Sequence, residues 1–157
     1  MLRDSYTDED RRKILEGRRQ RGVRWEEQHG HFPWYGLMIP ARDVAKWVCE
    51  SHPMPGTTIT REKVREHHRM NNEFGIGTFI YYNITEAEYW YAQDKFPESI
   101  GKDEDGKPIG AYKANEHPGK RACWMMNSDP KSPFGQHMIQ QAREMAAAYP
   151  EMAGFFW

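Results

Sequence analysis

Aliphatic residues are scarce in this 157-residue chain: three Leu, nine Ile and four Val stand against seven Phe, six Trp and eight Tyr. Leu, Ile, Val and Phe together fall under the roughly 20% of residues that marks disorder when net charge is also high. Net charge is not high, because 22 Lys and Arg offset 23 Asp and Glu to leave −1. The chain therefore reads as folded, with its apolar area concentrated in rings. The same near-balance excludes bulk attraction to nucleic acid or to an anionic membrane. Only two cysteines are present, Cys49 and Cys123, neither in a CxxC pair, so neither a zinc knuckle nor a disulfide framework is indicated. Each reads as a small buried apolar side chain. No apolar run approaches the roughly 18 residues of a membrane span, and MLRDSYTDEDRRK lacks the apolar core of a signal peptide. The sequence is that of a soluble chain, and its compartment stays open.

What is present is a succession of short apolar runs and helical patterns. TDEDRRKILEGRRQRG offers Thr7 as N-cap, acids in the first turn and bases before Gly22, the order that complements a helix dipole. Residues 1–24 read as a solvated N-terminal helix, and 25–157 as an α/β domain. PWYGLMIP suits a buried strand between prolines, and ARDVAKWVCES places Val44, Trp47 and Val48 at helical spacing. PMPG breaks that helix. ITREKVREHHRMNNEFG opens another with Thr60 as N-cap, Ile59 and Val64 as a hydrophobic staple, and Gly75 as its end.

GIGTFIYYNI is apolar on both alternating faces, as in a parallel strand covered on both sides. TEAE after it reads as a capping box, Thr85 to Glu88 with Ile84 and Tyr89 as staple, so a helix is expected within two residues of the strand. DKFPESIGKDEDGKPIGAYKANEHPGKR has turn chemistry and no helical period, a long excursion with room for a hairpin. ACWMMN is a further strand. Ser132 and Pro133 then start a helix whose stripe is Phe134, Met138, Ala142, Met145 and Tyr149, and MAGFFW opens a fourth strand. About four strands alternating with helices predict a parallel sheet with right-handed crossovers. Ending inside a strand on Phe155, Phe156 and Trp157 suggests a piece of a longer sequence.

GIGTFIYYNI, the FPES and DEDGKPIGAYK excursion, and CWMMNSDPKSPFGQHMIQQAREMAAAYPEMAGFFW resemble the glycoside-hydrolase-type (β/α)8 barrels, in particular the loosely defined group of α-galactosidase-like and other sugar-cleaving barrels. The resemblance covers residues 33–157 and is most specific in the last third. It implies a partial TIM barrel, the N-terminal half of a glycoside hydrolase acting on a carbohydrate. In such barrels an active-site Asp often follows the strand that opens as Gly-Phe-Phe, so the catalytic carboxylates are expected beyond Trp157 and the fragment alone is expected to be inactive. The implied partners are a carbohydrate and the missing C-terminal half of the same domain, with no nucleic acid, membrane or cofactor. A closed barrel takes about 250 residues, so 157 would be roughly half of one.

Glycosidic cleavage needs two facing carboxyl groups. Those placed after strands are Asp43, Glu86, Glu88 and Asp129, but Glu88 belongs to the capping box, Glu86 to a first turn, and Ser-Asp-Pro is ordinary turn chemistry, so the catalytic residues stay unknown. Binding reads more clearly, because aromatic faces and neighbouring amides suit sugars, and barrel ligands sit at the carboxyl ends of strands. That rule selects Tyr82, Asn83, Trp90, Trp124, Asn127 and Trp157 as substrate-binding residues. The competing reading is core packing for each ring and backbone satisfaction for each Asn. Seven histidines raise a metal site, but His29 and His31 alternate as on one strand face, His67 and His68 diverge on a helix, and no HExxH is present, so no metal is expected. Asp103 to Gly106 does not fit a calcium loop and reads as a turn. Two rival readings are an open α/β binding module that docks its FFW end on a partner, and a nucleic-acid contact through the basic N-terminal helix.

Overall fold

The computed structural model describes residues 6–50, 57–111 and 123–157. In chain order the elements are α1 (Asp8–Gln20), β1 (Trp25–Gln28), α2 (Arg61–Glu73), β2 (Gly77–Tyr81), β3 (Glu86–Glu88), α3 (Tyr89–Lys95), β4 (Cys123–Met125), α4 (Pro133–Ala148) and β5 (Gly154–Phe156). They fall into two compact units: Met1–Pro33, Pro40–Tyr82 and Ala146–Trp157 form the first, and Trp34–Ile39 with Asn83–Met145 the second. No helix among the described residues is long and apolar enough to cross a membrane.

The first unit is built on a three-stranded parallel sheet in the order β1-β2-β5. The register sets Trp25 beside Gly77 and Gln28 beside Ile80, and on the other side Phe79 beside Gly154 and Tyr81 beside Phe156. Alternation then divides the strands between two faces. Glu26, Gln28 and Thr78 meet His67, His68 and Asn71 of α2, while Trp25 packs on Phe79 on the opposite face. The expected cover on both sides of β2 is uneven: Thr78 and Ile80 are sealed, and Gly77, Phe79 and Tyr81 are half-buried.

Helix starts follow the sequence closely. Thr7 caps α1 by accepting the Asp10 N–H, and the Asp10 carboxylate accepts the Thr7 N–H in return. The helix is solvated over most of its surface but sends Leu15 into a cluster with Met70 and Ile76, flanked by Val23 and Phe74. Thr60 caps α2 by accepting the Lys63 N–H, its staple residues Ile59 and Val64 are fully buried, and Gly75 leaves the helix at φ +68°.

Two elements expected N-terminal to α2 are absent. PWYGLMIP is not a strand: Gly36 at φ +90° folds it into a turn in which the Leu37 N–H donates to the Trp34 carbonyl. The Met38 and Ile39 N–H groups both donate to the Gln141 side-chain oxygen at 3.0 Å, which takes the place of a neighbouring strand. ARDVAKWVCES is not a helix either over its described residues, 41–50. The Arg61 guanidinium takes the carbonyls of Pro40, Ala41 and Val44 at 2.5, 2.7 and 2.9 Å, so these acceptors do not serve a helical ladder. Trp47 instead exchanges both backbone hydrogen bonds with Ile59 and donates its indole N–H to the His31 carbonyl. The proposed PMPG break lies outside the described residues.

In the second unit the TEAE capping box does not form. Asn83 Oδ1 accepts the N–H groups of Thr85 and Glu86, and Glu86–Glu88 pairs as β3 with β4 in an antiparallel ladder. The helix α3 starts at Tyr89 without a side-chain cap. ACWMMN is therefore no member of the parallel sheet, and the parallel strands number three among the described residues, not four. The expected hairpin is present: Asp103 and Lys107 close it, Asp103 Oδ1 accepts the Lys107 N–H, and Gly106 turns at φ +78°. Its continuation through 112–122 lies outside the described residues. α4 begins as expected, with Ser132 Oγ accepting the Gly135 N–H, and buries Phe134, Met138 and Met145. Gly135 is obligatory, since a Cβ there would stand 2.0 Å from the Asp129 carbonyl oxygen.

Arg61→Ala should lower stability by about 1–3 kcal/mol, the range for hydrogen bonds to a charged donor, read as a fall in urea midpoint. Arg61→Lys should not restore it, because a point ammonium cannot span carbonyls that a planar fork spans.

Candidate functional site

At the carboxyl edge of the parallel sheet the half-buried face carries a polar and aromatic row. Trp25, Glu27 and His29 succeed one another on that side of β1 and its extension. His29 Nδ1 hydrogen-bonds the Glu27 carboxylate at 2.5 Å, and its ring stacks on Tyr81 with centroids 3.8 Å apart. Phe156, 53% exposed, is the register partner of Tyr81 on β5, and Trp157 beyond it is 80% exposed. The strand ladder is prolonged there by the Tyr82 N–H, which donates to the Phe156 carbonyl at 2.7 Å. The edge thus presents a carboxylate-supported imidazole beside exposed rings, a surface able to exchange hydrogen bonds with hydroxyl groups and to stack on a flat apolar ligand.

The second unit holds another aromatic cluster. Trp34 lies 5.0 Å from Trp90 and 5.8 Å from Tyr91, and Tyr89 lies 5.5 Å from Trp124. Trp90 is 48% exposed. The indole N–H groups of Trp34 and Trp124 are buried without a hydrogen-bond partner. Burial pushes the Tyr91 hydroxyl up to about 12, and burial also lowers His137 despite the hydrogen bond that its Nε2 makes to the Gly36 carbonyl at 2.8 Å. Glu86 is raised by burial, against the opposing pull of Asn83, and one of its carboxyl oxygens has no partner.

Of the residues selected from sequence, Tyr82 is buried and lies 4.9 Å from Phe155. Asn83 is buried and fixes the turn into β3. Asn127 is exposed, with Oδ1 accepting the Asp129 N–H and its own N–H bound to the Ser99 carbonyl. Trp90 and Trp124 belong to the second cluster, and Trp157 to the carboxyl edge of the first unit. Among the carboxylates, Asp43 and Asp129 are exposed, Asp129 accepts the Lys131 N–H in a turn, and Glu88 is buried. Tyr81, on the recognised β2, was passed over for Tyr82, and Glu27 and His29 were not selected because β1 was not recognised. Their signal was the alternation of Trp25, Glu27 and His29, interrupted by polar residues that face a helix. His31 does not share the His29 environment: it is fully buried, edge-on to Phe32 at 5.4 Å. No group of three His, Cys, Asp or Glu side chains among the described residues is placed to hold a metal ion.

The class that these elements define is a mixed α/β chain with, among the described residues, a three-stranded parallel sheet and four α-helices. Among solved structures, the chain is similar to a Paenibacillus sp. cycloisomaltooligosaccharide glucanotransferase complexed with cycloisomaltoheptaose, at TM-score 0.72 and 9% identity over 96% of this chain and 21% of that one. It is also similar to a noncanonic maltogenic alpha-amylase, AmyB, from Thermotoga neapolitana, at TM-score 0.55 and 17% identity over 92% of this chain and 32% of that one. The chain therefore spans between a fifth and a third of the length of these proteins. At such identities the likeness is one of fold. No protein-family model matches, and no curated protein matches by sequence.

The two kinds of ring separate by mutation. Trp47→Ala, at a site 9% exposed, should cost about 3–5 kcal/mol in urea denaturation, whereas Trp157→Ala should stay within about 0.5 kcal/mol.

Proposed function

We propose that this chain is the carbohydrate-binding N-terminal portion of a partial (β/α)8 barrel of the glycoside hydrolase type. The observation that carries the reading is the row His29, Tyr81, Phe156 and Trp157 at the carboxyl edge of a parallel sheet, where such barrels bind ligands. The two similar structures support it, since one is named a glucanotransferase in complex with a cyclic oligosaccharide and the other a maltogenic alpha-amylase. In this reading Trp157, Trp90 and Trp124 supply faces for sugar rings. Tyr82 packs on Phe155 in the first unit, and, separately, Asn83 and Asn127 fix turns within the second. Glu27 and His29 exchange hydrogen bonds with hydroxyl groups, and no catalytic role is assigned to any residue.

Calorimetric titration with cycloisomaltoheptaose and with maltoheptaose tests the reading. Heat of binding is expected with at least one of them, weakened about tenfold by Trp157→Ala, since a stacked ring contributes about 0.5–1.5 kcal/mol and tenfold is about 1.4 kcal/mol. Absence of heat with both at millimolar concentration would overturn it.

A further inference from the structure

The contact between α2 and the sheet is polar where parallel sheets are usually aliphatic. His67 Nε2 donates to the Glu26 carboxylate at 2.7 Å, and Arg18 of α1 donates to the same carboxylate. His68 Nε2 donates to Gln28 Oε1 at 2.5 Å, and Asn71 Nδ2 to Thr78 Oγ1 at 2.8 Å. His31, His68, Asn71 and Thr78 are all fully buried. Several atoms of this layer have no partner: Nδ1 of His68, Nε2 of Gln28 and the hydroxyl of Tyr149, whose ring stands edge-on to His68 at 5.9 Å.

We propose that this histidine layer makes the α2–sheet contact an acid-released latch. Protonating His68 adds a donor at Nδ1 that faces no acceptor, and protonating His31 puts a second cation beside the first in a sealed layer. The charged or titratable groups that face the layer are His67 on α2, Glu26 on β1, Arg11 and Arg18 on α1, His29 after β1, and Tyr149 and Glu151 after α4. Glu151, held by Arg65 and Arg69, and Glu26, held by His67 and Arg18, both attract a charge on His68 but do not offset its burial and the repulsion from His67.

Burial, with repulsion from His68, lowers His31 to about 3, and burial with repulsion from His67 lowers His68 to about 4. Burial likewise lowers His67, although the hydrogen bond to Glu26 opposes it. Between their ordinary value of about 6.5 and these folded values, the opened form binds protons that the closed form does not. The latch is therefore secure above pH 6.5 and loosens as pH falls. Burial acts to raise Glu26, but the His67 hydrogen bond and the neighbouring cations prevail and hold it at about 2, so its own proton uptake enters only below its ordinary 4.5. The window from pH 6.5 to 4.5 thus isolates the histidines.

The test is amide exchange of residues 61–73 from pH 7 to 5, corrected for intrinsic rates. Below pH 6.5 each silent histidine should raise the opening constant about tenfold per pH unit, so His31 and His68 together should give about a hundredfold per pH unit. His68→Gln and His31→Gln should each flatten the dependence by about one factor of ten per pH unit. A wild-type proton NMR titration, which needs no variant to fold, should show two histidine ring signals that do not shift above pH 5. Constant α2 protection from pH 7 to 5, unchanged steepness in the variants, or normal titration of all seven histidines would each overturn the latch.

Discussion

Hydrogen bonding, more than apolar contact, joins α2 to the parallel sheet, and much of the first unit depends on that seam. Three side chains of α2, two adjacent and one a turn further on, each meet one strand residue: His67 with Glu26, His68 with Gln28, Asn71 with Thr78. With few aliphatics available, the apolar cluster of Leu15, Met70 and Ile76 covers one end of the helix, buried Val64 lies near the other, and the polar pairs fix the stretch between. Directional bonds specify one register and one helix rotation, where aliphatic packing would tolerate small slips. The register of β1 on β2 in turn places Glu27 beside Phe79 and brings His29 onto Tyr81, so the outer face inherits its order from the buried one.

A second constraint is the fate of backbone groups in segments without regular structure. Buried N–H and C=O groups must find partners, and here single side chains supply them. Arg61 collects carbonyls from 40–44, Gln141 collects the N–H groups of Met38 and Ile39, and Asn83 collects those of Thr85 and Glu86. Each of these residues settles the conformation of a segment whose own sequence reads otherwise.

That division explains what could be read in advance. The starts of α1, α2 and α4 were legible because Thr7, Thr60 and Ser132 cap helices through atoms within three residues. The strand β2 was legible from its apolar run. The segment 41–51 was misread because its helical spacing loses to Arg61, an element away in sequence. The TEAE box lost to Asn83 and to pairing with β4, some 37 positions along the chain. β1 was invisible because Glu26 and Gln28, polar in sequence, are its buried side. Trp90 and Trp157 are exposed, whereas burial of Tyr82 and Asn83 depends on neighbours that no local pattern announces.

The seam also bears on how this sequence can drift. Each of its three couples is a hydrogen bond between two residues, so losing one member strands a further buried polar atom at a cost of about 1–3 kcal/mol, while replacing both with apolar groups of matching shape can be nearly neutral. Single steps are therefore disfavoured and paired steps are permitted. Homologous chains should keep or exchange Glu26 with His67, Gln28 with His68, and Thr78 with Asn71 as units, and an inventory that scores each position alone would miss the dependence.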